Sequence, residues 1–145
     1  MFAMKYATER DMEYMCSYGM MPESVLERND EMMRKIRDRR CYILYENETR
    51  IGVMRYNLIF DFTPFVTLIY LDEPHRGKGY GALAMARWEG EMRSLGYKMV
   101  MTSTQVDEDA QHFYRKLGYK DMGAIVIDIP PYEQPLEMFM GKGLS

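Results

Sequence analysis

Six consecutive residues, Arg76-Gly77-Lys78-Gly79-Tyr80-Gly81, join three glycines to two cations. An apolar run ends just before them at Leu71, and a helical pattern starts just after. Glycine lets a backbone turn tightly and approach a ligand closely. Successive N–H groups in such a turn point at an anion, and the following helix adds its positive end. Arg76 and Lys78 add formal charge, so the segment suits a diphosphate. No Walker G-x-x-x-x-G-K-[ST] run exists in the chain. Gly77-x-Gly79-x-x-Ala82 matches a dinucleotide fingerprint, but it lies mid-chain, and the next strand ends in Ser103 and Thr104 rather than in a ribose-binding acid. The plain alternative is a glycine-rich turn with two solvated cations.

Other groups with chemistry lie near this loop. Asp72, Glu73 and His75 precede it and Asp61 lies in the preceding turn, so each is a candidate base, although each reads first as an ordinary surface residue. Tyr114 falls on the apolar face of a later helix, where spacing alone makes it one more core aromatic. Cys16 and Cys41 have no metal-ligand spacing, each sits in an apolar pattern, and both read as buried free thiols; no metal site is expected. Arg34, Lys35, Arg37, Arg39 and Arg40 crowd one helix end, where cations suit the dipole and are expected to be solvated.

The elements that position these groups are legible in outline. Thr8 suits the cap of a first helix with Met12, Met15 and Cys16 on one face. Pro22 suits the first turn of a second, buried through Val25, Met32, Met33 and Ile36. Strands are expected at Cys41–Glu46 and Ile51–Leu58, joined by a turn at Asn47–Arg50, and at Phe65–Leu71. A helix follows over Ala82–Leu95, with Met85, Trp88, Met92 and Leu95 on its apolar face and Gly96 as its stop. Lys98–Thr104 is the next strand. Asp107 is the expected cap of a fourth helix carrying Ala110, Phe113, Tyr114 and Leu117, which Gly118 ends. Strands near Tyr119–Ile129 and Leu136–Met140 close the chain. The sum is α/β in class: a mixed α+β sheet of about six to seven strands with about four helices.

Arg76-x-x-Gly79-x-Gly81 resembles the [Q/R]-x-x-G-x-[G/A] signature of the GNAT superfamily of N-acetyltransferases. Asp109-Ala110-Gln111-His112-Phe113-Tyr114-Arg115-Lys116-Leu117-Gly118-Tyr119 is similar to the family's A-x-x-F-Y-x-K-x-G-[F/Y] run, and the element order fits from residue 4 onward. The resemblance implies a GNAT-like fold and acetyl-CoA as cosubstrate, with its pyrophosphate on Arg76 to Ala82. It implies pantetheine pairing with free backbone groups of Ile69, Tyr70 and Leu71, one of which donates to the thioester oxygen. It places Tyr114 near the CoA sulfur, where a phenol can protonate the departing thiolate. Many relatives carry Asn at position 107 in contact with the cofactor; Asp107 keeps an acceptor there but loses the amide donor. The implied reaction moves an acetyl group to a primary amine of a small molecule or peptide by direct attack in a ternary complex. The alternative is a non-catalytic acyl-CoA-binding module of the same fold.

Bulk composition agrees. A chain of 145 residues with 47% apolar and 28% charged residues is expected to form one domain over 1–145, neither disordered nor membrane-embedded. The start, Met1-Phe2-Ala3-Met4-Lys5, has no signal-peptide core, so a cytoplasmic location is expected. A net charge of −3 argues against nucleic acid as the partner. Acceptor walls are expected from the first two helices, from residues 57–64 and from residues 130–137. Tyr56, Phe60, Phe62 and Tyr132 read as pocket lining, as core, or as the face of a homodimer.

Overall fold

The computed structural model describes residues 1–18 and 24–145. Strand β1 is Phe2–Tyr6; a 3-10 turn, Glu9–Asp11, leads into α1, Met12–Cys16. Helix α2 is Val25–Arg37, followed by β2, Cys41–Glu46, β3, Thr49–Ile59, and β4, Thr63–Leu71. A second 3-10 turn, Glu73–His75, precedes α3, Tyr80–Ser94. Then come β5, Met99–Gln105, α4, Ala110–Lys116, β6, Lys120–Ile125, and β7, Glu137–Gly143. The described residues thus give seven strands and four α-helices, the expected mixed class, in the sheet order β1-β2-β3-β4-β5-β7-β6.

Two compact units divide these elements. The first comprises Met1–Asn57 and Thr67–Arg87, the second Leu58–Val66 and Trp88–Ser145. In the first, β1 and β2 run antiparallel, as do β2 and β3, with a register shift at Leu44/Tyr45. The alternation of β2 and β3 sends Cys41, Ile43 and Val53 into a core with Ala7, Met15 and Met32. Met12, Cys16, Ile36 and Leu68 pack against it, so the expected face of α1 is met. Thr8 caps this helical stretch through its backbone: its N–H donates to the Asp11 carboxylate at 2.9 Å, and the Asp11 N–H returns to the Thr8 carbonyl.

The cap of α2 is Ser24, whose hydroxyl accepts from the Glu27 N–H at 3.3 Å. The Pro22 expectation lies outside the described residues, as does the Val25 side chain. Of the basic run, Lys35 departs from expectation. It is 6% exposed and donates to Asn57 Oδ1 at 2.6 Å, because its position on α2 turns it inward with Met32 and Ile36. Gly52 in β3 is required by proximity: a Cβ there would collide with the Tyr70 carbonyl of β4.

In the second unit β5 pairs antiparallel with β7, and β7 with β6, so the last strand lies inside the ladder. Strand β4 joins β5 in parallel over Phe65↔Met101 and Val66↔Thr102. Trp88 and Met92 are fully buried, burial worth about 2–3 kcal/mol for each large side chain. Leu95 is 62% exposed rather than buried, since α3 has already ended at Ser94 and Gly96 has turned the chain with φ +95°. Within the same unit Tyr119 Oη donates to Glu89 Oε2 at 2.9 Å and Lys142 Nζ donates to Glu89 Oε1 at 2.8 Å. The mostly buried Glu89 carboxylate is therefore neutralised and hydrogen-bonded on both oxygens.

Candidate active site

The glycine loop forms as its composition requires. Gly77 and Gly79 adopt φ of +78° and +81°, a region costly for any residue with a Cβ. A methyl group on either would meet nothing within 4 Å, so backbone conformation demands glycine, and open space lies beside it. Tyr80 begins α3, and Gly81 and Ala82 lie in its first turn. The Leu83 N–H makes the first helical bond, to the Gly79 carbonyl at 3.1 Å. The N–H groups of Tyr80, Gly81 and Ala82 therefore precede the ladder, where a helix leaves donors for an anion.

Both loop cations are committed within the protein. Arg76 Nε donates to the Leu71 carbonyl at 2.8 Å, and its guanidinium lies 5.1 Å from the Tyr70 ring centroid. Lys78 Nζ reaches the Glu46 carboxylate at 3.2 and 3.3 Å. His75 Nδ1 lies 3.7 Å from the same carboxylate. The Tyr80 phenol, which hydrogen-bonds to Glu46, and then the Lys78 ammonium hold the Glu46 carboxyl below its ordinary range. The Tyr80 phenol is raised in turn by that carboxylate. The cradle is thus made of backbone donors with its cations fixed at the margin, a division that the sequence does not reveal. Glu46 itself carried no sequence signal, being the last residue of an apolar strand.

Ile69, Tyr70 and Leu71 lie on β4 beyond its two-pair contact with β5. Ile69 and Leu71 are half-buried and Tyr70 is 38% exposed. Tyr18 packs its ring at a tilt against Tyr70, with centroids 4.9 Å apart, and donates its hydroxyl to Asp72 at 2.8 Å. Burial, followed by the Tyr14 and Asp72 hydrogen bonds, pushes the Tyr18 phenol far above its ordinary value. Of the four candidate bases, Asp72 is thus engaged by Tyr18 and His75 sits beside Glu46, whereas Glu73 and Asp61 are exposed.

In the second unit Tyr114 is 5% exposed on α4 and in ring contact with Phe113 and Tyr119. Burial raises its phenol above the ordinary range, against the lowering effect of a hydrogen bond with Thr102. At neutral pH Tyr114 therefore keeps its proton. Asp107 does not cap α4: the helix begins at Ala110 with Asp109 at the cap position, and Asp107 lies exposed in the turn. Gln111 closes that turn instead, donating to the Val106 and Glu108 carbonyls at 2.7 and 3.0 Å. Of the aromatic residues read as acceptor walls, Tyr56 is buried and stacks on Tyr42, while Phe60, Phe62 and Tyr132 are exposed. Among the described residues no cluster could hold a metal ion, and no helix is long and apolar enough to cross a membrane.

The chain is similar in fold to many solved acetyltransferases. It aligns with an N-acetyltransferase from Staphylococcus aureus Mu50 at TM-score 0.80 and 18% identity, covering 99% of each chain. A ribosomal-protein-alanine N-acetyltransferase from Brucella melitensis aligns at 0.79 and 17%, over 98% of this chain and 99% of that one. A Salmonella typhimurium protein described as an acetyltransferase, solved with its cofactor acetyl-CoA, aligns at 0.78 and 16%, over 99% and 94%. No curated protein matches in sequence. The sequence model of the acetyltransferase (GNAT) family matches residues 7–119, a span that includes the glycine loop and Tyr114. With the open backbone cradle at the head of α3 in place, that match decides the family: the chain belongs to the GNAT acetyltransferases.

Proposed function

We propose that the protein is an acetyl-CoA-dependent N-acetyltransferase acting on a primary amine. The observation that carries this reading is the cradle at Gly77–Ala82: two glycines of positive φ beside open space, followed by N–H donors ahead of the helical ladder. These features fit a pyrophosphate, and family membership makes that of CoA the favoured anion. Acetyl-CoA supplies the activated acetyl thioester. Backbone groups of Gly77, Gly79, Tyr80, Gly81 and Ala82 hold its diphosphate end with Arg76 and Lys78 at the margin, and backbone groups of Ile69, Tyr70 and Leu71 align its pantetheine arm as an added strand. One N–H of that strand donates to the thioester oxygen as negative charge develops on it. Asp107 is assigned to the cofactor's edge.

The amine nitrogen forms a bond to the thioester carbon, and the carbon–sulfur bond breaks. Tyr114 donates its proton to the leaving sulfur; the raised phenol suits a donor and excludes a phenolate base. The proton lost by the amine passes to a carboxylate or to water. Strand β4 itself carries no acidic residue from Thr63 to Leu71, so Asp72, Glu73, His75 and Asp61 are the groups to test. The reading is tested by free-thiol release from acetyl-CoA with a panel of primary amines. Release above the amine-free rate supports it. CoA binding without release from any amine would instead make the protein a binding module.

A further inference from the structure

Two cations lie buried in the first unit with no carboxylate bonded to them among the described residues. Arg55 on β3 is 5% exposed and Lys35 on α2 is 6% exposed. Among the described residues, Arg55 makes one side-chain hydrogen bond, from Nη1 to the Tyr18 carbonyl at 3.2 Å. A guanidinium carries five N–H donors. Lys35 likewise makes one among the described residues, to the neutral Asn57 Oδ1 at 2.6 Å. Asn57 follows Arg55 by two positions on the same face of β3, a spacing of about 6.6 Å. The two cations therefore share a neighbourhood, and the Arg55 charge disfavours that of Lys35. The nearest acid of α2, Glu31, pairs with Arg34 at 2.8 Å instead. Arg40, near the end of the same helix, adds further positive charge beside Lys35.

Burying a charge is costly unless it is paired. Arginine cannot escape that cost by losing its proton. A guanidinium fork beside an ammonium is the donor set that recognises a carboxylate. Its place in the fold ties it to the reaction. The Thr67 hydroxyl on β4 donates to the Arg55 carbonyl at 3.2 Å, two residues before Ile69. That is the stretch of β4 to which the proposed function assigns the thioester end of the cofactor.

We propose that Arg55 and Lys35 form an anion-binding site that takes a carboxylate of the acceptor, so that the preferred substrate is an amine that also carries a carboxylate. The substrate half of this proposal rests on the transferase reading; the anion site does not. Two measurements separate them. The first is the melting temperature of the free protein titrated with benzoate against chloride at constant ionic strength, for wild type, Arg55→Gln, Arg55→Lys and Lys35→Met. Benzoate is expected to raise the wild-type midpoint in a saturable way. The rise should shrink in Arg55→Lys and vanish in Arg55→Gln and Lys35→Met. A rise equal in all four proteins, or absent in wild type, overturns the site. If the glutamine variant does not fold, wild type and Arg55→Lys still decide the matter.

The second measurement compares thiol release with glycine against glycinamide and with phenylalanine against phenylalaninamide. Wild type is expected to favour the carboxylate member in kcat/KM by about 10–100-fold, the worth of a charge-assisted bond, and Arg55→Gln to lose that preference through KM. Equal use of both members by wild type overturns the substrate half. No release with any amine, alongside a benzoate rise confined to wild type, overturns the transferase reading and leaves the anion site standing.

Discussion

The Lys78 ammonium and the Glu46 carboxylate, 3.2 Å apart, form an ion pair on the margin of the glycine loop. The Lys78 charge next to the cradle is therefore already balanced before an anion arrives. Lys78→Ala should change the Kd for acetyl-CoA by less than about fivefold, the range of an exposed ion pair. Gly79→Ala imposes a Cβ on a φ of +81°, a cost of about 1–2 kcal/mol, and should weaken binding by about tenfold as the loop relaxes away from that shape. Calorimetric titration of both variants checks the order; a larger loss for Lys78→Ala would mean that the ammonium leaves Glu46 for the phosphates.

Tyr114→Phe should lower kcat by ~10²–10⁴ if the phenol protonates the leaving thiolate, with little change in KM for acetyl-CoA. Steady-state kinetics on the folded variant settle it, and an unchanged kcat would remove the role. Because burial raises the phenol above its ordinary value, the wild-type rate should not fall from phenol ionisation below the pH at which a free tyrosine ionises.

The Cys41 thiol, 1% exposed, is pushed up to about 11 mainly by burial. An ordinary cysteine has a pKa of ~8.5, so an unfolded chain ionises there while the folded one does not. Any stability from this group is full below that value and is lost as pH rises towards 11. At pH 8 a thiol-specific chromogenic reagent should label the half-buried Cys16 at once and Cys41 only on unfolding. Prompt reaction of both thiols would contradict the burial.

Glu89→Ala strips two partners from one carboxylate and leaves the buried Tyr119 hydroxyl and the Lys142 ammonium unpaired. With the Lys142 side chain 28% exposed, the loss should be about 2–4 kcal/mol in urea unfolding, below the full penalty for a wholly buried pair. A change under about 0.5 kcal/mol would show the network to be a surface pair in effect.

Much of this structure is legible in the residues, and the exceptions have physical causes. Cys41–Glu46 is a run of apolar and aromatic residues bounded by a turn, and the strand appears at those bounds. Gly96 and Gly118 stop their helices with φ of +95°, as their places after apolar helical patterns suggest. Strand β1 was not legible: five residues with Phe2 as the sole buried member give no alternation to read. Asp107, Glu108 and Asp109 are three acids in a row, and local pattern cannot say which one tertiary packing sets at the helix start. Lys35 shows the same limit from the other side, since charge predicts exposure while helical phase decides it. Within the candidate site the glycines spoke for themselves because backbone conformation is a local property. The commitments of Arg76 to Leu71 and of Lys78 to Glu46 depend on partners 5 and 32 residues away.

Placing β7 between β5 and β6 has a consequence for the order in which the molecule is made. Among the described residues strand β6 pairs with β7 alone, from Lys120↔Gly141 to Ile125↔Glu137. On the ribosome β6 therefore emerges with neither edge satisfied and waits until residue 143 has cleared the exit tunnel. Until then the backbone donors and acceptors of β6 stay unpaired, which makes this interval of synthesis the time at which a chaperone would matter most.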